Sequence, residues 1–299
     1  MAEAYVGANA YCRRIFGEKV YKLALSASTS CPNRDGTKGA GGCIFCSRGG
    51  SGDFAAPAGL PLAEQIEYAK RILGEKGKGL KYIAYFQSFT GTYGDLDALE
   101  RIYMQSAAYE GIVGVSIATR PDCLGERELD MLARLSEKTT LWVELGLQTV
   151  HEKTAAYIRR GYGLDCYDRA MEALKKIPVH RITHIILGLP GESRADMLET
   201  VRYAGERTDG IKLQLLHVLE GTELADAYRA GRFETLEMEE YCGIVADAVA
   251  LLPENVVIHR LTGDGAKKEL IAPAWSADKK RVLNEINKAL NVRGIKAQT

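Results

Sequence analysis

The sequence has no long hydrophobic run. No segment of its 299 residues reaches the ~18 consecutive apolar residues that a spanning helix needs. The longest candidate, Ile244 to Leu252, is interrupted by Asp247, so no membrane association is expected. Met1-Ala2-Glu3-Ala4-Tyr5 shows neither the charged nor the apolar region of a secretory signal, and cytoplasmic residence is the expectation. An excess of charge is also missing: Lys+Arg and Asp+Glu both number 39. That excludes a protein that coats nucleic acid through overall basicity, but not a local basic patch. There is no internal repeat, low-complexity tract or long linker. Cysteines number seven; the odd count and the missing signal argue against a disulfide framework. At 46% hydrophobic and 26% charged residues, the composition is that of an ordinary folded protein. A chain of this length buries a large core unaided.

Short apolar runs alternate with amphipathic ones. Strands are predicted at Tyr21–Ser26, Lys81–Ser88, Ile112–Ala118, Leu141–Leu147, Ile182–Leu187 and Ile211–Leu216, with a late run at Asn255–Arg260. Several are apolar nearly throughout, as parallel strands buried on both faces are. Between them, Leu62, Ile66, Ala69 and Leu73 step around one helix face, and Leu96, Leu99 and Tyr103 follow a capping Asp95. Ser193-x-x-Asp196 reads as a capping signal, and a last helix carries Val282, Ile286 and Leu290. Six such alternations predict an α/β fold. The expected form is a partial (βα)6 TIM-type barrel over residues 1–220, with a C-terminal extension over 221–299 packed on it. Function is then expected at the C-terminal ends of the strands.

Three cysteines crowd one segment. Cys31-Pro-Asn-Arg-Asp-Gly-Thr-Lys-Gly-Ala-Gly-Gly-Cys43-Ile-Phe-Cys46 has the spacing C-x11-C-x2-C and follows the first predicted strand. Three soft thiolates suit iron–sulfur or zinc. As ligands of a four-iron cluster they leave one iron open, as a catalytic site requires. A structural zinc loop needs a fourth ligand, such as Cys12 or a distant Cys or His, since no second C-x-x-C exists. Glycines at 39, 41, 42, 49, 50 and 52 let this loop approach a ligand closely.

The cysteine segment resembles the signature of the radical S-adenosylmethionine (radical SAM) superfamily, in a long-spaced form. Five further blocks follow in order: Tyr85-Phe-Gln-Ser-Phe-Thr, Ala118-Thr-Arg-Pro-Asp122, Val143-Glu-Leu-Gly-Leu-Gln148, Leu187-Gly-Leu-Pro-Gly-Glu192 and Arg260-Leu-Thr-Gly-Asp-Gly265. Together they resemble the bacterial YhcC/YtqA-type radical SAM proteins, which are related to the radical SAM half of the Elongator catalytic subunit. The resemblance implies a [4Fe–4S] cluster on Cys31, Cys43 and Cys46. It also implies S-adenosylmethionine at the open iron, cleaved on reduction to a 5′-deoxyadenosyl radical. The cofactor carries that chemistry, and the protein binds, orients and excludes water.

The same resemblance assigns candidate cofactor contacts. Phe45 matches the aromatic residue whose backbone lies near the adenine. Gln87 and Ser88 stand where relatives carry Gly-Gly-Glu near the methionyl amine. Thr119 and Arg120 end the third strand, and Arg120 can pair with a carboxylate or phosphate through its planar fork; its plain alternative is a salt bridge, for instance to Glu144. Glu144 and Gln148 share one side of the fourth strand, and a ribose hydroxyl would partner Glu144. Arg160-Gly161-Tyr162 resembles an Arg-Gly-His stretch whose Arg lies near the cofactor; the plain alternative is a helix stop at Gly161. Amides of the turn at Gly188 would bound the adenine pocket. His184 shares a strand face with Ile182 and Ile186 and is more simply a core residue. His217, His259, Arg260 and Asp264 are candidates for the substrate side. No residue is singled out as a catalytic acid or base.

The resemblance points to tRNA as partner and to an external electron donor such as flavodoxin or ferredoxin. The implied reaction converts carboxymethylaminomethyl-uridine at the wobble position to aminomethyl-uridine. Basic clusters at Arg13-Arg14, Lys76–Lys81, Arg159-Arg160, Lys175-Lys176, Lys267-Lys268 and Lys279–Arg281 would serve a phosphate-binding face, or are simply solvated. Two other classes stay open: a radical SAM enzyme acting on a small metabolite, and a non-catalytic metal-binding module.

Overall fold

Parallel strands need crossover connections, and the helical segments supply them. The computed structural model describes residues 4–50, 52–74, 81–263, 265 and 267–298; Lys76, Lys78 and Asp264 lie outside these. The chain opens with β1 (Ala4–Gly7) and α1 (Ala8–Phe16). Five βα units follow: β2 (Val20–Leu25) with α2 (Leu62–Leu73), β3 (Lys81–Phe86) with α3 (Leu96–Ala107), β4 (Ile112–Thr119) with α4 (Glu126–Ser136), β5 (Thr140–Gln148) with α5 (Glu152–Tyr157) and α6 (Leu164–Leu174), and β6 (His180–Leu187) with α7 (Arg194–Gly205). Then come β7 (Gly210–Leu215), β8 (Val218–Leu219), α8 (Glu223–Arg229), α9 (Met238–Leu251), β9 (Val257–Arg260), β10 (Leu270–Ala272), α10 (Lys279–Val292) and β11 (Lys296–Ala297).

Nine strands form one sheet in the order β11-β1-β9-β7-β6-β5-β4-β3-β2, with β2 and β11 as its edges. Every pairing in it is parallel. Alternation from β2 to β7 is the predicted (βα)6 order. The sheet curls strongly, because Lys212 on β7 donates to the Tyr85 hydroxyl on β3 at 2.8 Å. Side chains four strands apart meet only across the hollow of a barrel. Residues beyond 221 continue the sheet: β9 pairs with β7, and α9 buries Tyr241, Ile244, Val245 and Val249 in the main core. β8 and β10 form a separate antiparallel pair.

Local signals match their elements. Asp95 accepts from the amides of Asp97 and Ala98 at 3.1 and 3.2 Å, and Ser193 with Asp196 forms a full capping box. At the N-terminal end of the barrel, α1 acts as a plug. Its Tyr11, Cys12 and Phe16 pack on Val20, Ile83, Trp142 and Ile182, one apolar residue from each of four strands. The opposite end is therefore the open one.

Candidate active site

Two residues further along those strands, the inward positions change character. Side chains alternate faces along a strand, so the next inward layer is Lys22, Tyr85, Glu144 and His184, joined by Ser116 on β4 and Lys212 on β7. Each of the six strands contributes one polar residue. Five of the six converge on the sixth, the carboxylate of Glu144. Oε1 accepts from Lys22 and Ser116, both at 2.7 Å. Oε2 accepts from Tyr85 at 3.0 Å and His184 at 2.6 Å, and also from Lys212. A carboxylate offers about four lone-pair positions, so Glu144 is saturated. The ammonium groups of Lys22 and Lys212 both lie over the Tyr85 ring, 4.4 and 4.6 Å from its centre. Burial pushes the Glu144 carboxyl up, but Lys212, Lys22 and His184 outweigh it and hold the group well below the usual range.

Above this layer opens a cavity that also holds the cysteines. Its walls include Cys31, Cys43, Phe45, Cys46, Gln87, Thr119, Arg120, Glu144, Gln148 and Arg160. Strand-end loops and residues distant in sequence thus meet at one place. The cysteine loop is built through its backbone. Arg34 donates to the carbonyls of Cys46 and Ser47 at 3.3 and 2.7 Å, and the Cys46 amide donates to Cys43 O at 3.0 Å. Asn33 reaches Arg159 O at 2.7 Å and Cys43 Sγ at 3.6 Å. Ile44 sits in a second apolar cluster with Ile158, Leu216 and Leu224, against which Phe45 packs. Gly50 has φ +56°, and a Cβ there would lie 2.3 Å from the Phe89 ring, so only glycine lets the loop close on that wall.

The three thiols fit a cluster. Burial and the neighbouring Cys43 push the Cys46 thiol up to about 12 against the pull of Arg34, and burial raises Cys43 as well. Bound metal deprotonates such a thiol outright. Among the described residues, the group close enough to grip a single ion is His151, Asp196 and Glu199, not the three cysteines. Thiols more widely spread suit several irons better than one zinc.

Gln148 is the clearest sign of a missing ligand. It ends β5 with φ +67°, a strained value for a non-glycine residue. Its Oε1 is buried and has no partner, and the same holds for Thr90 Oγ1 in the same wall. Buried polar atoms are almost always paired, and these two lie in the cavity wall, where a bound molecule can supply the missing partner. Arg160 holds this turn. Its guanidinium donates to Leu147 O at 3.0 Å, Thr149 O at 2.6 Å and Tyr162 O at 2.9 Å, and pairs with Glu152 at 3.4 Å. Four of its five N–H donors are therefore committed to protein. Arg120 makes a bidentate pair with Asp122 at 2.9 and 3.0 Å and donates to Arg160 O at 3.1 Å. Both guanidiniums flank the Tyr162 ring, 4.9 and 4.8 Å from its centre.

Several sequence expectations change on this geometry. The carboxylate of Glu144 carries protein donors where a ribose hydroxyl was expected. Arg160 positions the Gln148 turn and is fully buried, so the Arg159-Arg160 pair does not form a basic surface patch. The salt-bridge partner of Arg120 is Asp122 rather than Glu144. Ser88 and Gly188 are not in the cavity wall: Ser88 accepts from Thr29 at 3.1 Å through its carbonyl, and the Gly188 amide points at the Met197 sulfur, 3.1 Å away. His217 and Arg260 do line the cavity. His259 lies at the plugged end, 3.4 Å from His180, which meets Tyr11 at 3.1 Å. Lys22, Ser116 and Lys212 went unassigned in the sequence. Their signal is a polar residue at an inward, period-two position in an otherwise apolar strand, as in Ile211-Lys-Leu-Gln-Leu215.

The buried imidazoles give a pH prediction. Burial, then Lys212, hold His184 down to about 4 in spite of Glu144. Burial, with Arg181 and Lys22 acting against Asp209, does the same to His180. The unfolded chain takes up protons on these residues below about pH 6.5, whereas the folded chain does so only near 4. Stability is therefore greatest above pH 6.5 and falls as pH drops toward 4. Urea unfolding at pH 7.5 and 5.0 should differ by about 2 kcal/mol per imidazole. Equal stabilities at the two values would show that these groups are not buried neutral.

Comparison with known proteins agrees with the cavity. Residues 29–204 match the model of the Radical SAM superfamily, and residues 208–291 that of the Radical_SAM C-terminal domain. The chain is 45% identical over 287 residues to YtqA of Bacillus subtilis (strain 168), covering 96% of this chain and 89% of that protein. It is 27% identical over 175 residues to a tRNA uridine(34) acetyltransferase of Methanocaldococcus jannaschii, covering 57% of this chain and 32% of that protein. Among solved structures, an N-terminally truncated Elp3 of Methanocaldococcus infernus superposes with a TM-score of 0.63 at 20% identity, over 90% of this chain and 63% of that one. Among the described residues no helix is long and apolar enough to cross a membrane.

Proposed function

The chain belongs to the radical SAM superfamily, and from that premise we propose that it modifies tRNA, removing the carboxymethyl part of carboxymethylaminomethyl-uridine at the wobble position to leave aminomethyl-uridine. As a radical SAM enzyme it works with a [4Fe–4S] cluster and S-adenosylmethionine, which when bound supply the electron path and the radical that takes a hydrogen atom from substrate. Cys31, Cys43 and Cys46 hold three irons. The backbone at Phe45 borders the adenine. Gln148 and Thr90 bond polar groups of the cofactor through their unpartnered oxygens, and Gln87 and Thr119 complete that wall. Arg120 and Arg160 keep the strand ends in place around it. The apolar plug of α1 below closes that end of the barrel and limits the access of water to the reacting centre. An external donor, a flavodoxin or ferredoxin, supplies the electron.

The observation that carries the tRNA reading is the likeness, over 175 residues, to a protein named for acetylating tRNA uridine 34. The likeness covers 57% of this chain and 32% of that protein. The test is a nucleoside analysis of tRNA from cells with and without the gene. Loss of the gene should raise carboxymethylaminomethyl-uridine and deplete aminomethyl-uridine and its derivatives. Unchanged tRNA nucleosides would return the enzyme to a small-molecule substrate.

A further inference from the structure

Asn33 is a polar side chain only 4% exposed, and it touches both the cysteine loop and the segment that leads into Arg160. Its backbone belongs to the loop. The Gly42 amide donates to Asn33 O at 2.8 Å, and the amides of Lys38 and Gly39 donate to Pro32 O at 2.8 and 3.1 Å. The chain between Cys31 and Cys43 therefore folds back on Pro32 and Asn33. The orientation of the side-chain amide follows from its partners. Arg159 O, 2.7 Å away, can only accept, so the atom facing it is Nδ2. An amide NH2 has two hydrogens, and the second serves Cys43 Sγ at 3.6 Å, a separation that suits the large sulfur atom. The other prong, Oδ1, is enclosed by Gly39 and Gly161, where a Cβ would lie 2.4 and 2.9 Å from it. Glycine at both positions leaves room for the amide in this orientation.

We propose that Asn33 is a positioning residue that donates to the Cys43 thiolate and thereby raises the reduction potential of the cluster held there. A neutral thiol is a weak acceptor, but an iron-bound thiolate is anionic, and bonds to ionised acceptors are roughly twice as strong. One-electron reduction adds negative charge to a cluster and its sulfurs. A donor fixed on one of those sulfurs therefore stabilises the reduced state more than the oxidised one. Hydrogen bonds to the sulfurs are among the factors that set such potentials, and a buried bond acts in a lower dielectric than an exposed one. The same amide grips Arg159 O, next to Arg160, whose guanidinium holds the carbonyls on either side of Gln148. One side chain thus links the cysteine loop to the Gln148 turn. The inference concerns the entry of the electron and is independent of the substrate.

The test is an EPR-monitored redox titration of the reconstituted holoprotein, without substrate or S-adenosylmethionine. Asn33→Leu keeps the branched shape of the side chain and removes both donors. Its midpoint potential should fall by about 59 mV, a tenfold change in a one-electron equilibrium, with iron and sulfide per chain equal to the wild type's. A purely structural part for Asn33 would instead lower the iron content and leave the potential of the remaining clusters where it was. That result, or an unchanged potential at full loading, would overturn the inference. If Asn33→Leu holds no cluster, the wild type decides. Pulsed EPR on protein carrying isotope-labelled asparagine side-chain amides should show a nitrogen coupling to the reduced cluster, and absence of that coupling would also overturn it.

Discussion

Replacing Cys46 with alanine is expected to leave a folded protein without its iron–sulfur cluster. The loop around it is held by Arg34 on the carbonyls of Cys46 and Ser47, and by Ile44 in the second apolar cluster. None of these contacts uses the sulfur. Removing a half-buried thiol that none of these contacts uses therefore costs the fold little. The cluster, by contrast, loses one of its three protein ligands, and the effect should far exceed the roughly 10–100-fold cost of disturbing an outer-sphere group. Iron and sulfide per chain should fall to background after anaerobic reconstitution, and 5′-deoxyadenosine should not form. Cys166→Ala, at a thiol outside the loop, should keep both. Iron retained in Cys46→Ala and lost in Cys166→Ala would move the metal site elsewhere.

How far this centre is legible in the sequence depends on the distance over which each signal acts. The cysteine spacing is local, and three thiols within sixteen residues are visible without a fold. The strands β3 to β7 are visible because both of their faces are buried, so the apolar run itself is the signal. By contrast, β1 has four residues and pairs with β9 and β11 from the far end of the chain. Nothing in so short a run marks it.

Partner identity is the part that local pattern does not carry. Glu144 reads as an inward carboxylate in need of a donor, which is correct. Its donors Lys22 and Lys212 lie 122 and 68 residues away, and the curl of the barrel alone brings them together. Arg160 reads as a cofactor ligand through the resemblance of Arg160-Gly161-Tyr162 to the family's Arg-Gly-His stretch. Four bonds to protein hold its guanidinium in the Gln148 turn, while Gln148 Oε1 is the buried polar atom in that wall without a protein partner. The backbone at Gln148 is a further case: φ +67° is unfavourable for glutamine, so local preference alone gives no hint of it. Arg160 on both flanking carbonyls is what enforces that turn.

The polar layer should also dominate the response to mutation at Glu144. Glu144→Gln preserves shape and removes the counter-charge. Lys212, 3% exposed at its side chain, is then left with Lys22 and Arg260 as charged neighbours. Breaking a buried pair from one side typically costs about 3–5 kcal/mol, because the remaining charge has no compensation. Lys212→Met should cost less than Glu144→Gln, because Glu144 keeps Lys22, Ser116, Tyr85 and His184. The double variant should recover part of the loss, giving a coupling energy of about 1–3 kcal/mol between contacting sites. Urea unfolding of the three variants at pH 7.5 measures all of these. A loss below about 1 kcal/mol for Glu144→Gln would place it among ordinary surface changes and would mean that water enters the layer freely.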